Sequence, residues 1–292
     1  MQLNDILEIH GIEPKKVIVM RHRPYETELR KVFPWIAEER EDLFNAYQET
    51  HGMRVESALC KLIGDGYVAS FVGHEPGKAV FVGVYAVNSA RPLTRKEYWE
   101  MPSHQELKSL GMSGFTDETR DSIQQFDLTK MDICHHWKCK LIVGWPGLER
   151  SWWRRAERNV FPVLAITEES KLSAEMPSWD KLDLSWDELQ LIPSSWKVKL
   201  SQWRGIYLIF DTTDGLGYVG SAYGEDNILG RWRNYAATGH GGNVKLKDRD
   251  PANFRFTILQ RLSPDLSDSD VIAIESSWKA RLHTIDHGLN QN

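Results

Sequence analysis

Apolar and polar positions change period several times along the chain, and each change predicts an element. Up to about residue 60 the spacing is helical, broken by the apolar run "KKVIVM" (15–20), which predicts a short strand. "RPYETELRKVFPWIAEERED" keeps helical charge spacing and is expected to be interrupted at Pro34. In "GYVASFVGHEPGKAVFVGVYAVN" (66–88), two runs of β-branched and aromatic residues flank "HEPGK", and its Pro-Gly pair predicts a β-hairpin. "CKLIVGW" (139–145) and "VFPVLAI" (160–166) read as further strands, and 89–135 as short helices and loops. Together these give an α+β N-terminal domain, residues 1–195, built on a small sheet or β-barrel. Short helices at 186–190 and 194–202 lead into a second domain, 203–292.

That second domain opens with "RGIYLIFDTTDGLGYVGSAY" (204–223), two apolar strands around a turn. Asp214-Gly215 is a favoured pair for a two-residue type I′ hairpin. A turn centred there would set Tyr207 opposite Ala222 and Asp211 opposite Tyr218. Alternation then sends Tyr207, Ile209, Tyr218 and Gly220 to one face, so both tyrosines can share a site. "NILGRWRNYAAT" reads as the next helix, with Arg231 and Tyr235 four apart on one side. "FRFTILQRL" (254–262) gives a third strand, and "SDSDVIAIESSWKARLHTI" an amphipathic helix whose stripe is Val271, Ile274, Trp278, Leu282 and Ile285. Glu275 lies inside that stripe. A carboxylate there costs several kcal/mol unless it is paired, and Lys279, one turn on, is its ordinary partner.

Composition narrows the class of protein. The 292 residues suffice for two cores, and 41% hydrophobic with 26% charged residues excludes wholesale disorder. The net charge is -5; residues 201–292 hold ten Lys+Arg against eleven Asp+Glu (-1), leaving 26 against 30 (-4) for the rest. Neither half is basic, so contact with nucleic acid must use a local patch. Three cysteines and the absence of a long apolar run point to a reducing, cytoplasmic setting.

The quoted residues resemble the GIY-YIG nuclease family. The likeness rests on "GIY" at 205–207, "YVG" at 218–220, Arg231 and Tyr235 on the next helix, Glu275 on a later helix and Asn290 near the end, in that order. It implies a small three-stranded antiparallel sheet flanked by helices that hydrolyses phosphodiester bonds with one divalent ion, Mg²⁺ or Mn²⁺. It further implies that Glu275 binds the metal, Arg231 contacts the scissile phosphate, Tyr207 activates water, and Tyr218, Tyr235 and Asn290 support them. The chemistry is consistent: a phosphodiester transition state gathers charge on oxygen, which a carboxylate-held ion and a guanidinium stabilise. Tyrosine is a demanding base, about 3 pKa units from neutrality, or about 4 kcal/mol. Some relatives carry lysine directly after the second triplet; here the residue is Ser221. His240, in "TGHGGN", is a candidate for phosphate contact or proton transfer, and equally a plain exposed loop histidine.

The expected partner is nucleic acid, foremost double-stranded DNA, with a homodimer as one route to double-strand cleavage. The alternatives are an RNA-directed nuclease and an inactive nucleic-acid-binding module. Target choice is expected in the N-terminal domain, through a modified or flipped base in an aromatic pocket. "ERSWWRRAER" places Arg150, Arg154 and Arg155 with Trp152 and Trp153 in a helix or loop that suits phosphate contact and stacking. The same string also suits a helix with a buried tryptophan and solvated arginines. "CHHWKC" (134–139) fits no common zinc finger and reads as incidental.

Overall fold

The computed structural model describes residues 1–147, 151–173 and 175–291. The chain divides into two compact units, Met1–Ala174 and Glu175–Asn292.

In the first unit, helix α1 (Leu3–Ile9) precedes strand β1 (Val17–His22), and α2 (Thr27–Glu39), α3 (Glu41–Gln48) and α4 (Met53–Leu59) carry the chain to β2 (Tyr67–Val72). Because a three-helix crossover separates them, β1 and β2 pair in parallel. The turn at "HEPGK" then returns the chain as the antiparallel β3 (Lys78–Thr94), so the hairpin expected at 66–88 is present and its second strand is longer. After α5 (Arg95–Glu100) and α6 (Pro102–Ser109) come β4 (Ser122–Lys130), β5 (Leu141–Gly144), β6 (Trp153–Arg155) and β7 (Val163–Ile166).

The resulting seven-stranded mixed sheet runs β6-β1-β2-β3-β5-β7, with β4 also on β3. Register shifts at Ser70/Phe71 and Val87/Ser89 insert extra residues into β3, which bends it and curls the sheet. The sheet stays open among the described residues, with β6 and β7 at the ends of its order, so of the two alternatives, small sheet or barrel, it is a curled open sheet. All six residues of β1 are buried, as a parallel strand covered on both faces requires. Leu3, Ile6 and Leu7 of α1 pack with Val17, Val19, Phe71, Phe81 and Phe161 on one face.

Three expectations in this unit are corrected. Helix α2 runs unbroken through Pro34, because Leu29, Val32, Phe33 and Ile36 bury its apolar face and offset the lost backbone bond. The tryptophan- and arginine-rich segment is neither helix nor loop at Trp153–Arg155 but an edge strand, antiparallel to Met20–Ile18. Within the span read as helices and loops, Ser122–Lys130 is the strand β4.

The second unit starts upstream of the predicted strands. β8 (Asp183–Ser185) and helices α7 (Trp186–Leu191) and α8 (Ser194–Gln202) precede β9 (Arg204–Asp211), β10 (Gly217–Ala222), α9 (Asn227–Thr238), β11 (Phe254–Leu262) and α10 (Asp268–Arg281). Its antiparallel sheet has the order β10-β9-β11-β8, four strands rather than the expected three. β8 escapes a sequence reading because it is three residues long, yet it pairs fully with Arg255–Thr257. One face packs on α9 through Trp232 and Phe256; the other holds Ile206, Val219 and Leu262 against Val271, Ile274 and Trp278 of α10. The apolar stripe ends sooner than the sequence suggests: Leu282 and Ile285 lie beyond the helix and are exposed.

Burial in the first unit sets a pH response. Burial lowers the imidazole pKa to about 3 at His22, with neighbouring His51 adding to the effect, and to about 4 at His51. Both are below the free value of 6.5, so the unfolded chain binds more protons between those limits. Stability present above pH 6.5 is therefore expected to fall as pH drops towards 4. Urea midpoints at pH 7.5 and 5 measure the slope, and His51→Gln is expected to flatten it.

Candidate functional site

The hairpin's face depends on its register. Val219 pairs with Leu208, Gly220 with Tyr207 and Tyr218 with Ile209. The expected partners, Ala222 for Tyr207 and Tyr218 for Asp211, are thus each displaced by two residues. The cause is the turn. Asp211 accepts from the Thr213 amide and Asp214 from the Leu216 amide, which builds a four-residue loop, Thr212–Gly215, instead of a two-residue Asp-Gly turn. Gly215 closes it at φ +77°, and Arg249 clamps it by bridging Asp211 and Asp214 at 2.7 and 2.9 Å. A two-residue displacement preserves alternation, so Tyr207, Ile209, Tyr218 and Gly220 still share one face.

On that face the glycines of the two triplets have separate purposes. An added Cβ at Gly220 would lie 2.4 Å from the Tyr207 hydroxyl oxygen, so only glycine leaves room for the tyrosine ring across β10. At Gly205 the same atom would stand 2.7 Å from the Gln260 carbonyl oxygen, where β11 bulges between Ile258 and Gln260. One glycine admits a side chain and the other admits a backbone.

Tyr207 is fully buried among aromatic rings. Trp232 meets it edge-on at 6.5 Å and 89°, Tyr235 at 6.2 Å and 71°, and Tyr235 in turn stands 6.0 Å from half-buried Tyr218. The Tyr207 hydroxyl donates to the Tyr235 oxygen over 3.4 Å, and the Arg231 guanidinium lies near enough to act on it electrostatically. Arg231 itself is exposed, so it presents a cation at the surface over a buried hydroxyl pair. Burial pushes the Tyr207 and Tyr235 pKa values well up, whereas the nearby Tyr207 oxygen raises that of Arg231. At neutral pH the cluster is two protonated phenols beside a permanent cation. The loop after α9 closes one side of it: a Cβ on Gly241 would lie 2.4 Å from the Tyr235 ring.

The remaining predicted residues lie around this cluster. Asn290 is buried at the free edge of β10, where its amide accepts from the Val219 N–H and donates to the Val219 carbonyl, each over 2.9 Å. It continues the ladder and fixes the residue between Tyr218 and Gly220. Lys245, which no sequence pattern flagged, holds this return by donating to the carbonyls of Gly288 and Asn290.

Glu275 accepts from the Ser221 hydroxyl and from Lys279 at 2.8 Å, so its i+4 partner is present and Ser221 is a second. Alternation places Ser221 with Val219 on the α10 side, and no contact among the described residues joins Glu275 to the tyrosine cluster. The two groups share the strand, from Tyr218 to Ser221. The His240 ring accepts from the Gly242 amide at 2.9 Å within its own loop.

In the first unit, Trp152 lies tilted by about 40° beside His51 and His22, Trp153 and Arg155 lie in β6, and Arg154 donates to Asn159. Arg150 lies outside the described residues. Among the described residues no three His, Cys, Asp or Glu side chains converge as a metal cage, the "CHHWKC" segment included.

No protein-family profile matches the chain, and no curated protein matches it. Two solved structures are similar to part of it, both of the catalytic domain of the endonuclease I-TevI. One, a variant of that intron endonuclease's catalytic domain, is 23% identical, covers 31% of this chain and 95% of its own, with a TM-score of 0.27. The other, of the catalytic domain of the homing endonuclease I-TevI, is 25% identical and covers 30% of this chain and 98% of its own, with a TM-score of 0.26.

Gly220→Ala is expected to destabilise the second unit by about 1–3 kcal/mol through overpacking. Gly224→Ala, where an added Cβ meets nothing within 4 Å, should stay within about 0.5 kcal/mol. Chemical denaturation of both variants beside the parent measures the difference.

Proposed function

We propose that the chain is an endonuclease that hydrolyses phosphodiester bonds in DNA, with its chemistry on the β9–β10 hairpin and α9. The observation that carries this reading is the Arg231–Tyr207–Tyr235 cluster: an exposed guanidinium set over two buried hydroxyls, in space two glycines leave open. A guanidinium there suits a phosphate oxygen, and a protonated phenol behind it suits hydrogen bonding to the charge that grows in the transition state. In this reading Arg231 holds the scissile phosphate, and the Tyr207 hydroxyl turns its one proton from the long Tyr235 contact to a phosphate oxygen. Its raised pKa opposes a resting role as base. Tyr218 and Tyr235 position Tyr207, and Asn290 positions the strand.

Glu275 is the residue to hold a divalent ion. Mg²⁺ is commonly bound by one or two carboxylates, waters and substrate phosphates, so a single carboxylate at the β10 edge fits once the Lys279 ammonium withdraws. Such an ion would supply charge neutralisation to the nucleic-acid backbone on the α10 side of β10. The first unit, in the same reading, selects the target, and a single cluster per chain nicks one strand unless two chains pair.

A second reading is a nucleic-acid-binding module that does not cut; the observation in its favour is that Ser221 and Lys279 already occupy Glu275. Incubation of the full chain with Mg²⁺ or Mn²⁺ and plain, modified and structured DNA, and RNA, separates the readings. Cleavage is expected on DNA, reduced about 10²–10³-fold in Arg231→Ala and lost in Glu275→Ala. Cleavage that survives Glu275→Ala removes the metal assignment, binding without cutting selects the second reading, and cutting confined to RNA replaces the DNA assignment.

A further inference from the structure

The first unit holds a cavity of about 740 Å³, within the range of small-molecule sites. Its walls include His22, Glu26, Tyr47, His51, Phe115 and Trp152. The His22 and His51 rings are nearly parallel, at 12°, with centroids 6.5 Å apart, and Trp152 lies beside both at 6.1 and 5.5 Å. Tyr47 meets His22 edge-on at 5.8 Å.

Three buried polar atoms of the residues that line it have no hydrogen-bond partner among the described residues: His22 Nε2, His51 Nε2 and Glu26 Oε2. His22 and His51 are 2% and 8% exposed, and orphaned buried polar atoms beside a cavity call for a partner within it, ordered water or a ligand. Glu26 is anchored by its other oxygen, which accepts from the Ser113 amide at 2.9 Å. Arg120 is committed to both oxygens of Glu56 and is not the counter-charge.

The chemistry of the occupant follows from those groups. Aromatic walls select a planar ring. A fixed carboxylate oxygen demands a donor from it, and neutral imidazoles supply one donor or acceptor each according to tautomer. A planar heteroaromatic ring with an exocyclic amino group beside ring acceptors meets all three demands, and among the components of DNA that describes an amino-bearing nucleobase. Glu accepting from the cytosine amino group is an established pairing. Such an edge is hidden in a duplex and reaches a buried pocket only when the nucleotide is turned out of the stack.

We propose that this cavity receives an amino-bearing base, cytosine foremost, extruded from duplex DNA: Trp152 and the two histidines form its walls and Glu26 reads its amino group. The nuclease reading contributes only the identity of the polymer.

The test uses the full chain carrying Glu275→Ala, in EDTA, so that binding is read without cutting. Short duplexes carry cytosine or thymine opposite an abasic site, where extrusion costs less, or are fully paired, with a neighbouring 2-aminopurine whose fluorescence reports unstacking. The abasic-opposed cytosine duplex is expected to bind about 10-fold tighter than the paired one and than its thymine counterpart, with a rise in 2-aminopurine emission. Glu26→Gln, a near-isosteric change, should erase the cytosine-over-thymine preference, and Trp152→Ala should erase the preference for the extrudable base. Both variants are checked by circular dichroism for parental unfolding.

Equal affinity for the three duplexes, or preferences that survive both substitutions, would overturn the proposal. Because no cleavage is involved, a chain that shows the base preference yet cuts nothing defeats only the nuclease reading. A chain that cuts DNA without the preference defeats only this one.

Discussion

The second unit depends on one close approach, the Tyr207 ring lying across the Cα of Gly220. With that ring seated, its hydroxyl is brought to Tyr235 and Arg231, and Trp232 fills the space beneath. The approach in turn needs the register that pairs these two residues, so the turn chemistry of Asp211 and Asp214, the Arg249 clamp and the Asn290 edge bonds all serve the same contact. Side chains scattered over 80 residues of sequence therefore act on a single backbone position. The cost is a buried phenol with a raised pKa, which makes the hydroxyl a better donor than base at neutral pH.

What could be read from sequence was decided by period and punctuation. Helix α9 and strand β11 fall on the predicted segments, because their apolar positions are regular and Gly239, at φ +75°, ends the helix. The shared face of Tyr207 and Tyr218 was legible although the pairing was not, since a side-chain period of two survives a shift of two residues. The turn itself was misread because two side-chain-to-backbone bonds outweighed the Asp-Gly preference.

Elements defined only by their neighbours stayed hidden. β8 is too short to show alternation, and β6 is an arginine-bearing edge strand whose partner, β1, lies more than a hundred residues earlier. Likewise no spacing rule announced Arg249 or Lys245, which matter through carbonyls and carboxylates brought near by the fold. Of the candidate site residues named from sequence, the tyrosines and Arg231 come together beside α9, whereas Glu275 is held by Ser221 and Lys279 on the α10 side, a division across strand β10 that no spacing in the sequence announces.

The central claim is that the Tyr207–Arg231 cluster performs phosphodiester cleavage with Tyr207 protonated. Single-turnover cleavage of labelled duplex DNA by the parent chain and by Tyr207→Phe, from pH 6 to 9, tests it most directly. The account predicts a Tyr207→Phe rate about 10²-fold lower, with the shape of the pH profile unchanged, since a donor is lost and no titrating base is removed. A full rate in Tyr207→Phe, or a parental alkaline limb that vanishes in it, would contradict the account.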